Sequence, residues 1–411
     1  MTDDLDRALR GTLTTAARKA PAADPGLLER VEAGHRRRRR RRTSAAALAI
    51  AVVVGGTGAA GGLLRSGEEA PPVAAPGKLK PVSRADLGAP VKLRDRWPDA
   101  VRSIPGELPN GRALHPVALL DDGTLVGATT SSFEKSDKLW SYDLDARKAT
   151  VITDIVVPRG SKIYASDFTV GGGQVVWWLS YRAGGRDTVE IWGAPLAGGT
   201  ARKIAGTRGD SVSTLLIDGD TVVWGMKDGV YRVPLAGGTP EKIPGTGGFG
   251  IVSWPWIGSP ASDANKAGDV KYKSLRNVRT GERREAVLAP FKGAWSCGVI
   301  WCVGGPASGV AYHGDAVAAV QRRDGKAGRS MPVDAFIAPR EGVIYGRFLP
   351  YFPSGHLPRN HVLYDFETGA LLDTGVRRFN EAIAPRRDDS DPQLFIEGKG
   401  GTTLIDFSKI G

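Results

Sequence analysis

The sequence predicts an all-β fold, a ring of about seven blades of roughly four strands each, with six or eight blades also compatible. One membrane-spanning helix and a short stub precede it. Three observations carry this reading. Gly accounts for 55 of 411 residues, about 13% against an ordinary share of about 7%. A strand, Gly turn, strand unit recurs about every 40 residues. A run of seven arginines is followed by 21 residues without a charge. Strand repeats of roughly 40–50 residues are the mark of a β-propeller.

The stub, residues 1–43, holds 12 basic side chains against six acidic ones, half of the chain's net charge of +12. The rest is nearly balanced, so the high isoelectric point marks no nucleic-acid surface. Arg36, Arg37, Arg38, Arg39, Arg40, Arg41 and Arg42, then Thr43, precede residues 44–64, SAAALAIAVVVGGTGAAGGLL. As a helix, 21 residues at about 1.5 Å each span the roughly 30 Å of a bilayer core. The positive-inside rule then places the stub in the cytoplasm, its arginines against anionic lipid, and everything after it outside. Gly58 and Gly62 would let two such helices approach closely. The competing reading is a cleaved signal peptide, whose charged region would be unusually long. Residues 65–95, with Pro71, Pro72, Pro76, Pro81 and Pro90, read as an extended spacer.

The ring is expected over 96–411. Residues 191–204 read IWGAPLAGGTARKI and residues 230–243 read VYRVPLAGGTPEKI. Weaker copies follow the runs VKYKSL, AVAAVQ and HVLYDF, so that turn glycines fall at Gly199, Gly238, Gly281, Gly325 and Gly369. Such turns need a residue that accepts positive φ. Leu139–Asp143 and Thr402–Phe407 extend the series to seven copies, and further strands are expected at Thr124–Ala128, Gln174–Tyr181, Thr221–Met226 and Val299–Val303. The last repeat lacks an outer strand, which residues 97–109 could supply, closing the ring and removing an open edge.

These hairpins resemble the TolB-like and WD40-like propeller superfamily, and Tyr364-Asp365-Phe366-Glu367-Thr368-Gly369 resembles a quinoprotein-type repeat turn. The resemblance covers about three quarters of the chain, without a Gly-His…Trp-Asp signature or a kelch pattern. The layout is similar to actinobacterial single-pass membrane-anchored propeller proteins, some of them encoded beside extracytoplasmic-function sigma factors.

Candidate chemistry is sparse. Cys297 and Cys302, the two cysteines, flank Gly298 on a tight hairpin, and in an exported domain they are expected to pair as a disulfide. No second pair of ligands accompanies them for a metal. His356 and His361 lie in a Pro-rich stretch read as a loop, a poor frame for a metal. Gly245–Gly250 matches G-x-G-x-x-G but runs into a strand instead of a helix, so it is no nucleotide motif. Most tryptophans are expected between blades; a few on one face would hold a sugar or peptide by stacking.

No catalytic, cofactor-binding or metal-binding residues emerge. The expectation is a membrane-anchored extracytoplasmic propeller that binds or senses a protein, peptide or glycan. Two alternatives stand beside it. One is a transmembrane regulator whose stub binds a sigma factor or similar partner. The other is an exported propeller enzyme of hydrolase, lyase or quinoprotein type.

Overall fold

The computed structural model describes residues 77–411 except 84, 121–122, 133–134, 159, 265, 306–316, 333–342, 352–359, 378–390 and 399. The stub, the uncharged segment 44–64 with its arginines, and 65–76 lie outside the described residues. Among the described residues no helix is long and apolar enough to cross a membrane.

Three strands come first: β1 (Lys80–Pro81), β2 (Val91–Lys92) and β3 (Val101–Pro105), with a single helical turn, α1 (Leu93–Arg96), after β2. Seven sheets follow. The first is β4 (His115–Leu119), β5 (Thr124–Ser132), β6 (Lys135–Asp143) and β7 (Lys148–Asp154). The second is β8 (Ser161–Gly171), β9 (Gln174–Ala183), β10 (Arg186–Pro195) and β11 (Arg202–Arg208). The third is β12 (Thr214–Asp218), β13 (Thr221–Met226), β14 (Gly229–Pro234) and β15 (Glu241–Lys242).

The fourth sheet takes β16 (Gly250–Ser253) and β17 (Trp256–Ser259), skips β18 (Val270–Lys271), and ends in β19 (Ser274–Asn277) and β20 (Arg283–Glu285). The fifth is β21 (Ala294–Cys297), β22 (Trp301–Gly305), β23 (Val317–Arg322) and β24 (Arg329–Pro332), with β18 and β1 added in parallel at its two edges. The sixth is β25 (Phe348–Pro350), β26 (Asn360–Asp365) and β27 (Leu371–Arg377), with β2 in parallel outside β27. The last joins β28 (Gln393–Gly398) and β29 (Gly401–Asp406) to β3. Among the described residues, six sheets thus have four strands or more and the one that joins the chain's two ends has three.

The hydrophobic core lies between sheets, as it must when both faces of each sheet are apolar. Val126, Leu139, Val175 and Trp177 fill the space between the first and second sheets; Trp178, Val189, Leu215 and Trp224 fill that between the second and third. The series continues around the ring. It closes where Phe395 and Leu404 of the last sheet meet Leu125 and Trp140 of the first. Mostly strands and a closed series of interfaces make this an all-β propeller.

The N-terminal segment differs from expectation. Part of 65–95 is no free spacer. From residue 77 it runs along the outer edges of the fifth, sixth and last sheets and inserts aliphatic side chains on the way. Leu79 packs on the cluster of Trp295 and Cys297, Leu87 between the fifth and sixth sheets, Leu93 between the sixth and last, and Ile104 between the last and the first. The expectation that 97–109 supplies the missing strand agrees with the pairing of Val101–Pro105 to Gly401–Ile405.

The two PLAGGT turns are alike to the atom. Outer strands β7 and β11 each bulge by one residue, at Ile152 and Ile204. A bulge re-aims the backbone. Here the freed carbonyls of Ile152 and Ile204 accept the N–H groups of Gly199 and Gly238 of the next sheet, at 3.0 and 3.2 Å. Those glycines have φ +145° and +151°, which an L side chain rarely adopts.

Two strand expectations shift. VKYKSL is not one strand: Tyr272 takes φ +57° and divides it into β18, which joins the fifth sheet, and β19, which stays in the fourth. Val299 and Ile300 form the turn ahead of β22, whose strand begins at Trp301.

The strap separates packing from pairing. Leu93 is fully buried, whereas Val91 two residues earlier is 40% exposed. Leu93→Ala is expected to cost about 2–5 kcal/mol, and Val91→Ala about 0.5 kcal/mol or less, as read from urea midpoints.

Candidate functional site

Cys297 and Cys302 stand directly opposite each other across the β21–β22 hairpin. They form a disulfide with Cα atoms 4.0 Å apart. Gly298 N–H donates to the Trp301 carbonyl and closes the turn. The close, non-hydrogen-bonded position of an antiparallel pair brings the two side chains within reach of one another. Both sulfurs are buried beside Trp295 and Ala319, which makes the bond structural in its setting.

Behind this hairpin lies Arg323, which is only 4% exposed. Its guanidinium donates to the carbonyls of Gly298 at 2.7 Å and of Tyr272 and Lys273 at 2.6 Å each. Burial pushes it down to about 10, still well above neutrality. Arg323 therefore ties the disulfide turn to the point where β18 and β19 diverge. Nothing in its Arg-Asp-Gly turn distinguishes it in the sequence from a surface arginine.

The ring's inner side holds the group least at ease. First strand β8 lies against β4 and β12, the first strands of both neighbouring sheets. Pairing of β8 with β9 slips three times, leaving Asp167 and Phe168 unmatched between Ser166 and Thr169. Asp167 has φ +49° and accepts a hydrogen bond from Trp178 Nε1 at 2.7 Å. Burial raises its pKa above the ordinary carboxylate value; the Trp178 bond opposes this without reversing it. A desolvated carboxyl on strained backbone is a functional candidate on physical grounds. The sequence offers no signal for it, because ASDFTV reads as an ordinary strand.

Other polar clusters hold strands together. Asp137 accepts from Thr129 Oγ1 and from Arg112, and Thr129 accepts from Trp140 Nε1, a relay inside the first sheet. Burial alone would raise Asp137, but the Thr129 and Arg112 bonds outweigh it and hold it low. Asp365, fully buried, takes both Nε and a terminal nitrogen of Arg347 at 2.8 Å, together with Thr368 Oγ1 and the Glu367 N–H. The PLAGGT repeats carry one clamp twice. Glu190 receives Trp192, Lys203 and Tyr181 in the second sheet, and Asp228 receives Tyr231 and Lys242 in the third.

The remaining sequence features fall as follows. His361 is in β26 and 8% exposed, in place of the expected loop, because HVLYDF carries the core face of the sixth sheet. His356 lies outside the described residues. Gly250 opens strand β16, as expected of a G-x-G-x-x-G that is not a nucleotide site. Among the described residues no group of three metal-ligating side chains gathers. The tryptophans divide: Trp177 and Trp224 are fully buried, whereas Trp254 donates to Asp218 and Trp256 lies under Arg284.

No family model and no curated protein matches the chain. Similar solved structures include the β-propeller domain of the trilobed protease from Pyrococcus furiosus, at 14% identity and TM-score 0.38, over 71% of this chain and 95% of that one. An oligogalacturonate lyase in complex with manganese is 11% identical at TM-score 0.32, over 72% and 76%. Dipeptidyl peptidase 4 of Porphyromonas gingivalis is 12% identical at TM-score 0.37, over 77% of this chain and 55% of its own. This chain thus corresponds to about half of that peptidase. The fold rests on this chain's own strand pairings, and the likenesses add no activity to it.

Two outcomes follow from the geometry. Arg323→Met removes three charge-assisted hydrogen bonds and is expected to cost on the order of 3 kcal/mol or more. The Cys297→Ala/Cys302→Ala pair opens only a short loop and is expected to cost about 2 kcal/mol. Urea midpoints rank the two. For Asp167, a folded pKa above the unfolded one means that stability falls as pH rises through that interval. Asp167→Asn keeps an acceptor for Trp178 and cannot ionise. It is expected to be more stable than the parent at pH 7 and equal to it at pH 3.

Proposed function

We propose that the chain is a single-pass membrane protein whose propeller lies outside the cytoplasm and acts as a binding or sensing module. The observation that carries the anchor is the order of its parts: Arg36–Arg42, then 21 uncharged residues at 44–64, then a strap that reaches the propeller's outer edge by residue 80. A helix across the lipid satisfies every backbone group of such a segment, and the arginines fix which side stays inside. The binding reading is supported by the use of the strongest charged clusters. Asp137, Glu190, Asp365 and Arg323 are engaged in holding strands and turns, which leaves the ring as a rigid frame. The partner on this reading is a protein, peptide or glycan at a face of the ring.

A second reading, an exported enzyme, draws on Asp167. A carboxyl whose pKa burial raises is suited to hold a proton for general acid chemistry. Turnover of a glycan, peptide or alcohol panel by the purified chain, lost in Asp167→Asn, would establish this reading in place of the first.

Topology is testable without altering the native cysteines, since both are in the buried disulfide. A cysteine introduced at Lys80, on an exposed strand, should label with an impermeant maleimide on intact cells. A cysteine at Arg30 should label only after permeabilisation. Equal labelling of both on intact cells would overturn the anchor.

A further inference from the structure

Outer edges of this ring are places where strands are added. β1 and β2 lie parallel along the outermost strands of the fifth and sixth sheets. Lys80 and Val82 donate their N–H groups to the carbonyls of Gly328 and Ser330, alternate residues on the open side of that edge. The fourth sheet is the next one back around the ring. It ends in β20, and Arg283, Arg284 and Glu285 are all exposed.

The β19–β20 pairing fixes which backbone groups face away. Ala286 N–H donates to Lys273 and Asn277 N–H to Glu282, with Leu275 opposite Arg284 between them. Bonded and non-bonded pairs alternate in an antiparallel ladder. Arg284 therefore bonds inward, and the N–H and C=O groups of Arg283 and Glu285 point outward. No described strand covers them.

The edge also carries surplus positive charge. Arg283 stands directly opposite Arg276, an arrangement that like charges disfavour. Arg276 lies over the Phe249 ring at 5.4 Å and donates to the Pro244 carbonyl. Arg284 lies over Trp256 at 4.3 Å and pairs with Glu282. Among the described residues Arg283 has no ion-pair partner.

We propose that the β20 edge docks an extended acidic segment of a partner protein, which adds as a strand beside Arg283–Glu285 and sets a carboxylate against Arg283. Main-chain hydrogen bonds supply the affinity and the arginine pair supplies the choice of sequence. It is the outer edge of the sheet that precedes the one whose outer edge β1 already covers. This surface goes beyond the binding reading given above and uses neither the anchor nor the axis.

The test uses the full chain in detergent and a fluorescent peptide that alternates Val and Glu, with a Val–Lys peptide beside it, followed by anisotropy at low salt. The Glu peptide should bind, and the Lys peptide should bind at least about tenfold more weakly. Arg283→Glu should reverse that order. Glu285→Pro should abolish binding of both at an unchanged urea midpoint, because an edge strand tolerates Pro where its N–H faces solvent. Failure of the Glu peptide to bind the parent chain overturns the proposal. So does binding that Glu285→Pro leaves intact, since attraction by charge alone is not strand addition.

Discussion

The pairing of β3 with β29 is the constraint on which the rest of the ring depends. It is a backbone ladder that joins the two ends of the fold, from Val101 against Ile405 to Pro105 against Gly401, and Gln393 of the last sheet adds hydrogen bonds to both the N–H and the carbonyl of Leu119 in the first. Without it, the last sheet would lose its outer strand, and the junction of Phe395 with Leu125 would rest on side-chain links such as Gln393 to Leu119. The strap that leads into β3 extends the same logic backwards. Leu87, Leu93 and Ile104 each sit between two sheets, so the strap resists the opening of several junctions together.

Between the first three sheets the constraint has a second form. The bulges at Ile152 and Ile204 turn a carbonyl towards the next sheet, and a glycine at large positive φ is there to meet it. The same isoleucines bury their side chains in the junction. One residue thus sets both the spacing and the angle of its neighbour. The aromatic, acid and lysine clamp beside each turn then fixes the outer strand against the one before it.

Much of this was legible because it repeats. Pro-Leu-Ala-Gly-Gly-Thr occurs twice with aromatic and lysine at matching places, and turn geometry leaves glycine little competition, so hairpins and ring follow from spacing. The strap was not legible. Its prolines and charges read as a spacer, and Leu79, Leu87 and Leu93 follow no period, because their intervals are set by the distance from one sheet edge to the next. Asp167 was hidden for a different reason. Its meaning lies in a slipped register and in the burial beside Trp178, neither of which composition or spacing encodes. Arg323 belongs with it, one arginine in a turn where most arginines face water. The disulfide was the easiest inference, since the chain's two cysteines fall on one short hairpin around Gly298.

The strap also bears on how the chain reaches its fold. β3 is among the first strands of the propeller to be synthesised, and its partner β29 is the last, roughly 300 residues later. Closing so long a loop delays the contact that completes the ring, and contacts of this separation slow folding. Until their partners are made, β24 for β1, β27 for β2 and β29 for β3, these three strands have nothing to pair with. The early sheets, stitched by short hairpins and by their glycine turns, are therefore the part equipped to form first. The strap therefore stays extended and unpaired longer than any early hairpin, with Leu79, Leu87 and Leu93 still open to water.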